Sequence, residues 1–447
     1  MNEHKQIKLL SILASSVIII LFACALIVIY AMAQSQPASK ELVQRGAYLA
    51  RAGDCIACHT TSKGKPYAGG APISTPMGVI YSTNITPDLE TGIGHYSMDN
   101  FVKVMREGVT DDGDHLYPAM PYTSYAKVLR EDLSALYAYF MQGVEPVPQP
   151  NHPTKLRWPL SIHSLMMVWN GLYLKKGEYV SDPNKSVPWN RGAYLVQSLG
   201  HCGGCHTPRG ILGQEKAESE KDGRQYLAGA KLDNWYALPL TGDLKTGLNA
   251  WSKDDIVEYL RTGRTARVAA SGAMAEVVAK STQYLVDQDL IAIAEYLKSL
   301  PPANDKGQEN ADSASQESAA AVATLALRTG ENGMSGSNIY LNNCNACHRS
   351  DGSGAKRTFP NLVKNEALNA KDPISLIHIV LAGSSMPSTQ TAPSAFAMPD
   401  FGWRLSDVEV ADVLSFVRDN RDNHAAAVSR DEVGRVRKTL SIQRKAR

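Results

Sequence analysis

Three copies of one short motif constrain this chain more than any other feature of its sequence. Two cysteines three positions apart are followed directly by a histidine at 55–59, 202–206 and 344–348. Six of the seven cysteines belong to these CxxCH motifs, which leaves no further thiols to link one motif to another. A disulfide framework is therefore a poor interpretation of the cysteines.

CxxCH is the attachment signature of c-type haem. Two thiols on one helical turn can each bond a vinyl group of one porphyrin, and the adjacent imidazole can reach the iron. Zinc sites need four ligands, and a redox CxxC needs no histidine after it. We therefore predict three covalently bound haem c groups. The thiols that would hold them are Cys55, Cys58, Cys202, Cys205, Cys344 and Cys347.

The segments around the first two motifs repeat each other. The sequence RGAYL precedes both motifs, at 45–49 and 191–195, and the stretches 91–108 and 246–263 align without a gap. Within the aligned stretches, serine and glycine mark the two ends of an apolar run with helical periodicity. Ser97 and Ser252 are predicted N-caps, and Gly108 and Gly263 are predicted to end the helices.

Each haem iron needs a second axial ligand opposite its histidine, and methionine gives a closed, low-spin site. Between residues 191 and 300 the only methionine is Met274, and the only spare histidine is His201, beside its own Cys202. The same register after the preceding glycine selects Met120 and Met398 in the other two segments. The predicted iron ligands are His59 with Met120, His206 with Met274, and His348 with Met398.

Other residues compete for the axial position. Met98 and Met105 lie in the predicted helix of the first segment, where Met105 is expected in the core. Met77 precedes that helix, and Met386 follows Gly383 closely. His115 and His378 could form bis-histidine sites, although His378 is expected to be a packed or surface histidine.

The N-terminal residues form an uncharged apolar run at 9–33, preceded by Lys5 and Lys8. The run is long enough to cross a bilayer, which takes about 20 residues, and AMA at 31–33 is typical of a signal cleavage site. Cleaved signal peptide and retained anchor both remain open. The net charge of +2 gives no indication of nucleic-acid binding.

Taken together, the chain resembles the tri-haem cytochrome c subunits of bacterial membrane-bound dehydrogenases, such as the gluconate 2-dehydrogenase and quinoprotein alcohol dehydrogenase subunits. The stretches that carry the resemblance include RGAYLARAGDCIACHT, YPAMPYTSY, GHCGGCHTPRG and FAMPDFGWRLSD. The resemblance implies electron transfer to ubiquinone from a partner subunit that contains FAD or PQQ, in a complex with or without a small third subunit. It also implies a location at the periplasmic face of the bacterial inner membrane, and Met120, Met274 and Met398 as axial ligands.

The predicted fold class is all-α, with three class I cytochrome c-like domains in tandem after an N-terminal hydrophobic signal or anchor helix. The expected domains are 45–142, 190–300 and 334–420, after a signal or anchor at 1–34. A linker rich in proline and aromatic residues occupies 143–189, where the apolar middle either packs on the first domain or meets a partner or membrane. A flexible linker is expected at 301–333. A basic tail at 421–447 is expected to be solvated, with contact to anionic lipid as the alternative.

We therefore predict an electron-transfer subunit without catalytic residues of its own, whose partner chain oxidises the substrate. Gluconate is the first expectation for that substrate and an alcohol is the second. A self-contained multihaem reductase or peroxidase, which needs an open iron position, and a shuttle without a fixed partner are the alternatives.

Overall fold

The computed structural model describes residues 37–75, 77–303, 335–420 and 423–446. The predicted signal or anchor at 1–34 and nearly all of the linker at 301–333 lie outside the described residues. Among the helices that are described, none is both long and apolar enough to cross a membrane.

Helices build most of the described chain. Before and around the first motif they are α1 (Lys40–Ala52), α2 (Cys55–Cys58), α3 (Met98–Glu107), α4 (Tyr122–Tyr125), α5 (Arg130–Gln142) and α6 (Leu165–Tyr173). Around the second motif they are α7 (Val187–Gln197), α8 (Gly203–His206), α9 (Lys253–Thr262), α10 (Gly272–Lys280) and α11 (Asp287–Lys298). Around the third they are α12 (Ser337–Asn343), α13 (Asn345–His348), α14 (Glu366–Asn369), α15 (Ile374–Ala382), α16 (Asp407–Arg418) and α17 (Arg430–Ala446).

The prediction of an all-α chain is wrong, because short strands pair in the loops between the helices. They are β1 (Pro72–Thr75), β2 (Gly78–Tyr81), β3 (Lys155–Leu156), β4 (Ala230–Leu232), β5 (Trp235–Ala237), β6 (Ser384–Ser385) and β7 (Ala397–Met398). They form an antiparallel sheet β1–β2–β3 and two hairpins, β4–β5 and β6–β7. Strands of two to four residues are too short to show an alternating pattern in the sequence.

The predicted ends of α3 and α9 are confirmed. Ser97 Oγ accepts a hydrogen bond from the backbone N–H of Asn100, and Ser252 Oγ accepts one from Asp255. Gly108 and Gly263 end the helices with φ angles of 63° and 73°, which a residue with a side chain adopts only at a cost.

Two helix pairs cross at glycine. α1 packs on α5, and α7 packs on α11. A methyl group on Gly46 would lie 1.9 Å from the Ala135 carbonyl oxygen, and one on Gly192 would lie 2.0 Å from that of Ala292. The glycine of each RGAYL sequence therefore lets two helix backbones approach more closely than any side chain would allow.

Two buried carboxylates, Asp132 of the first segment and Asp289 of the second, join these segments. Each one bonds an arginine of its own segment and a tyrosine of the other. Arg45 binds Asp132 within the first segment at 2.6 Å, and Tyr194 of the second donates to the same carboxylate at 2.7 Å. Arg191 binds Asp289 within the second segment at 2.7 Å, and Tyr48 of the first donates to it at 2.5 Å. The arginine of each RGAYL thus serves its own segment, whereas the tyrosine bonds the other one.

The electrostatics of Asp289 show that this junction favours the ionised carboxylate. Burial opposes the charge, but hydrogen bonds from Arg191 and Tyr48 outweigh burial and hold the pKa of Asp289 below its usual value. One cluster of buried side chains, which runs from Leu49 to Leu300, correspondingly spans both segments.

The third segment has a separate core that includes the C-terminal helix. Val433, Val436 and Leu440 of α17 are each less than a tenth exposed and pack with α15 and α16. Arg437 anchors α17 through Asp407 and the Leu405 carbonyl oxygen. The expectation of a solvated tail is therefore wrong for α17, because its apolar face completes this core.

The glycine crossings predict a specific sensitivity. Gly192→Ala should lower the free energy of unfolding by about 1–3 kcal/mol, since the methyl group overlaps the Ala292 carbonyl oxygen and α7 must move away from α11. Gly171→Ala is the matched control, because a methyl group in α6 meets no atom within 4 Å. Urea unfolding of both variants tests the point, and equal midpoints would contradict it.

Candidate functional site

Each CxxCH motif forms one short helical turn. The backbone N–H of each histidine donates to the carbonyl oxygen of the first cysteine of its motif, at 2.9–3.0 Å. This bond brings the two thiols and the imidazole to one side of the chain. The six motif cysteines form no disulfide with one another. The turn therefore places the two thiols of each motif close together, outside any disulfide.

All three motif histidines bond through the same ring nitrogen. Nδ1 of His59 lies 2.7 Å from the Thr83 carbonyl oxygen, that of His206 lies 2.7 Å from Leu238, and that of His348 lies 3.0 Å from Pro360. Because a carbonyl oxygen only accepts, Nδ1 carries the proton and Nε2 keeps its lone pair. This is the tautomer that a metal-bound histidine needs, with its orientation fixed by a second bond.

Burial also favours the neutral imidazole that metal binding needs. It lowers the pKa of His59 and of His206, although the Nδ1 hydrogen bonds act in the opposite direction. Both rings are therefore neutral at physiological pH, as metal ligation requires. The residues fit a haem iron at Nε2.

The thiols of the first two motifs lack the features of a redox pair. Burial raises the pKa of Cys55 to about 12, that of Cys58 to about 11 and that of Cys202 to about 12. A reactive CxxC instead depends on a lowered thiol pKa. No group of three or more histidine, cysteine or acidic side chains suited to a metal ion occurs in the described part of the chain.

The three predicted methionine ligands lie in different local structures. Met120 is half-buried against the core of the first two segments. Met274 is half-buried in the first turns of α10, and Met398 is half-buried in β7, opposite Ser384. Their role as axial ligands stays a prediction.

Three of the alternative candidates for the axial position make other contacts in the structure. Met105 is 7% exposed and belongs to the core, as expected. His378 stacks on Trp235, with ring centroids 4.2 Å apart and Nδ1 3.3 Å from the Asn234 carbonyl oxygen, which confirms a packed histidine. Met386 lies on the β6–β7 hairpin, where its N–H donates to Phe396.

One helix brings the three sites together. α10, which carries Met274, contacts the thiol turn α2 of the first motif. It also contacts β6, the strand that pairs with Met398. Methionine-bearing and cysteine-bearing parts of different segments thus meet around α10, which is the arrangement that a chain of electron carriers requires.

Two buried carboxyl groups beside the thiol turns were not identified from the sequence. Burial raises the pKa of Asp54, next to Cys55, to about 8. Burial also raises the pKa of Glu215 to about 7, and its carboxylate packs against Gly203. The carbonyl acceptors of the three histidines were missed as well, because any residue type can supply a carbonyl oxygen.

Comparisons with known proteins agree with this site. The cytochrome c family profile matches residues 334–421. The chain is 47% identical to the gluconate 2-dehydrogenase cytochrome c subunit of Pantoea cypripedii over 92% of this chain and 93% of that protein. It is 44% identical to an alcohol dehydrogenase (quinone) cytochrome c subunit of Gluconobacter oxydans over 92% and 85%. It is 40% identical to the fructose dehydrogenase cytochrome subunit of Gluconobacter japonicus over 90% and 83%.

The prediction of three tandem class I cytochrome c domains is corrected by this result, because the family profile finds one such domain, around the third motif. The buried side chains explain the difference for the first two segments. They share one core instead of forming two independent bundles.

The β6–β7 hairpin offers a direct test of the axial-ligand prediction. In haem-loaded protein, Met398→Leu should abolish the near-infrared methionine-to-iron band of one haem, because leucine has no sulfur to bind iron. Met386→Leu, on the same hairpin, is the matched control and should leave the spectrum unchanged. The reverse pattern would assign the ligand to Met386.

Proposed function

Since this chain belongs to the family of dehydrogenase cytochrome c subunits, we propose that it carries electrons from a dehydrogenase subunit to ubiquinone. The proposed location is the periplasmic face of a bacterial inner membrane. The site supports this through three CxxCH turns whose imidazoles all keep Nε2 available, because each Nδ1 is bonded to a backbone carbonyl oxygen.

Three covalently bound haem c groups are proposed, one at each motif. Bound haem supplies a carrier that accepts and releases one electron at a time. The thiols of each turn would hold the porphyrin, and His59, His206 and His348 would bind iron through Nε2. Met120, Met274 and Met398 would supply the remaining iron ligands, which would keep small molecules from the metal.

The protein itself orients the imidazoles and holds the three segments against one another. The Nδ1 hydrogen bonds hold each imidazole plane in place, which reduces the rearrangement that accompanies a change of charge at the metal. The Arg–Asp–Tyr junction holds the first segment against the second, and α10 links both to the third segment. Such a rigid series suits electron transfer and leaves substrate oxidation to another chain.

Two donors are favoured by similarity. The relative at 47% identity is a gluconate 2-dehydrogenase subunit, so a flavin-containing partner that oxidises gluconate is the first proposal. The relative at 44% identity is an alcohol dehydrogenase (quinone) subunit, so a PQQ-containing partner that oxidises alcohols is the second.

Purification from the native membrane in mild detergent tests this function. The chain should co-purify with a dehydrogenase subunit that mass spectrometry identifies, and adding that enzyme's donor should reduce the haem absorbance. Gluconate and ethanol are added to separate samples, so that each serves as the control for the other.

Two results would overturn the proposal. One is a chain that purifies without any dehydrogenase and whose haems neither donor reduces. The other is a high-spin, five-coordinate haem that reacts with peroxide, which would favour a self-contained enzyme.

A further inference from the structure

The segment between the first and second motifs exposes an unusual amount of apolar surface. The residues concerned flank and include α6, and several of them are more than half exposed: Trp158 (81%), Met167 (59%), Val168 (59%) and Leu172 (66%). Ile162 and Leu165 are exposed to a smaller extent, at 40% and 39%. Contiguous apolar surface of this kind on a folded protein marks an interaction site.

A loop of the second segment extends this surface. Trp169, on the buried side of α6, donates its Nε1–H to the Leu212 carbonyl oxygen at 2.9 Å, which fixes the loop beside the helix. Ile211 is fully exposed, and Leu212 is 58% exposed. Together these side chains form what we call the α6 face: Trp158, Ile162, Leu165, Met167, Val168, Leu172, Ile211 and Leu212.

The chain segment that contains most of the α6 face carries charges of one sign. From 155 to 177 the sequence contains Lys155, Arg157, Lys175 and Lys176 but no aspartate or glutamate. Lys175 pairs with Asp222 and Lys176 with Glu107, yet both lysine side chains remain more than half exposed. Exposed ion pairs of this kind are weak, so the two lysines can exchange these partners for other anions.

We propose that the α6 face lies in the headgroup region of a lipid bilayer that contains anionic lipid. Cations before and after an apolar segment, together with an exposed tryptophan, are typical of interfacial membrane binding. The core of a protein interface is instead depleted of lysine. The inference rests on the proposed function, since ubiquinone is dissolved in the bilayer, and it specifies which surface meets the lipid.

This placement brings the first motif towards the membrane. Asn170 of α6 accepts from Tyr122 Oη at 2.7 Å, and its amide donates to the Glu107 carbonyl oxygen at 3.0 Å. Tyr122 follows Met120 by two residues, and its ring meets Trp169 edge-on at 6.4 Å. The buried side of α6 therefore rests on the loop that carries the proposed ligand Met120, so this loop lies directly beneath the α6 face.

The test uses the haem-loaded complex in vesicles of phosphatidylethanolamine and phosphatidylglycerol, with a phospholipid whose acyl chain carries a photoactivatable diazirine. Mass spectrometry should find the label in peptides that cover 155–176 and 209–213. The double substitution Met167→Glu with Leu172→Glu should reduce that labelling about tenfold, because carboxylates enter lipid poorly. Leu89→Glu is the matched control, since Leu89 is 72% exposed elsewhere on the chain, and it should leave the labelling unchanged.

Two outcomes would overturn the inference. One is the absence of label from both regions while other peptides of the complex are labelled. The other is release of the dehydrogenase subunit by the double substitution, which would identify the α6 face as a protein interface. Reduction of the haems by the partner's donor is measured in the same samples. Its loss in the unsubstituted complex would contradict the proposed function, whereas the labelling pattern tests only the membrane contact.

Discussion

The hydrogen bond from a motif imidazole to a backbone carbonyl oxygen is the interaction on which this protein's chemistry depends. It occurs three times, through Nδ1 of His59, His206 and His348. Each bond selects one tautomer and directs Nε2 away from the chain. Without it, either ring nitrogen could carry the proton. The surrounding helices and loops act largely by holding the carbonyl oxygen and the thiol turn at the correct separation.

Helix packing and hydrogen bonds between the segments hold the three sites at fixed positions relative to one another. Glycines in α1 and α7 let helix backbones touch, which gives the first two segments their closest internal packing. Tyr48 and Tyr194 then each donate to a carboxylate that belongs to the other segment. The two segments consequently share one core, and α10, which carries Met274, contacts both the first thiol turn and the hairpin of Met398. Electron transfer falls steeply with distance between carriers, so this compactness matters more than the identity of any surface residue.

Local features were predictable from the sequence because local physics determines them. The caps of α3 and α9 and the short turn at each motif depend on residues within one or two turns of one another. The hydrogen bond of Tyr48 to Asp289 spans 241 positions and could not be inferred, because an exposed tyrosine and one that bonds a distant segment look alike in a sequence. The two-residue strands at β6 and β7 leave no periodic pattern. α17 was expected to be solvated because its many cations favour the surface, whereas the third core buries three apolar positions on one of its faces.

The central claim is that each of the three thiol turns holds one haem, and peptide mapping of acid-denatured, periplasm-matured protein tests it most directly. The account predicts three distinct haem-bearing peptides, which contain Cys55 with Cys58, Cys202 with Cys205, and Cys344 with Cys347. Any pair recovered as free thiols or as a disulfide, with its haem absent or extracted by acid, would contradict it.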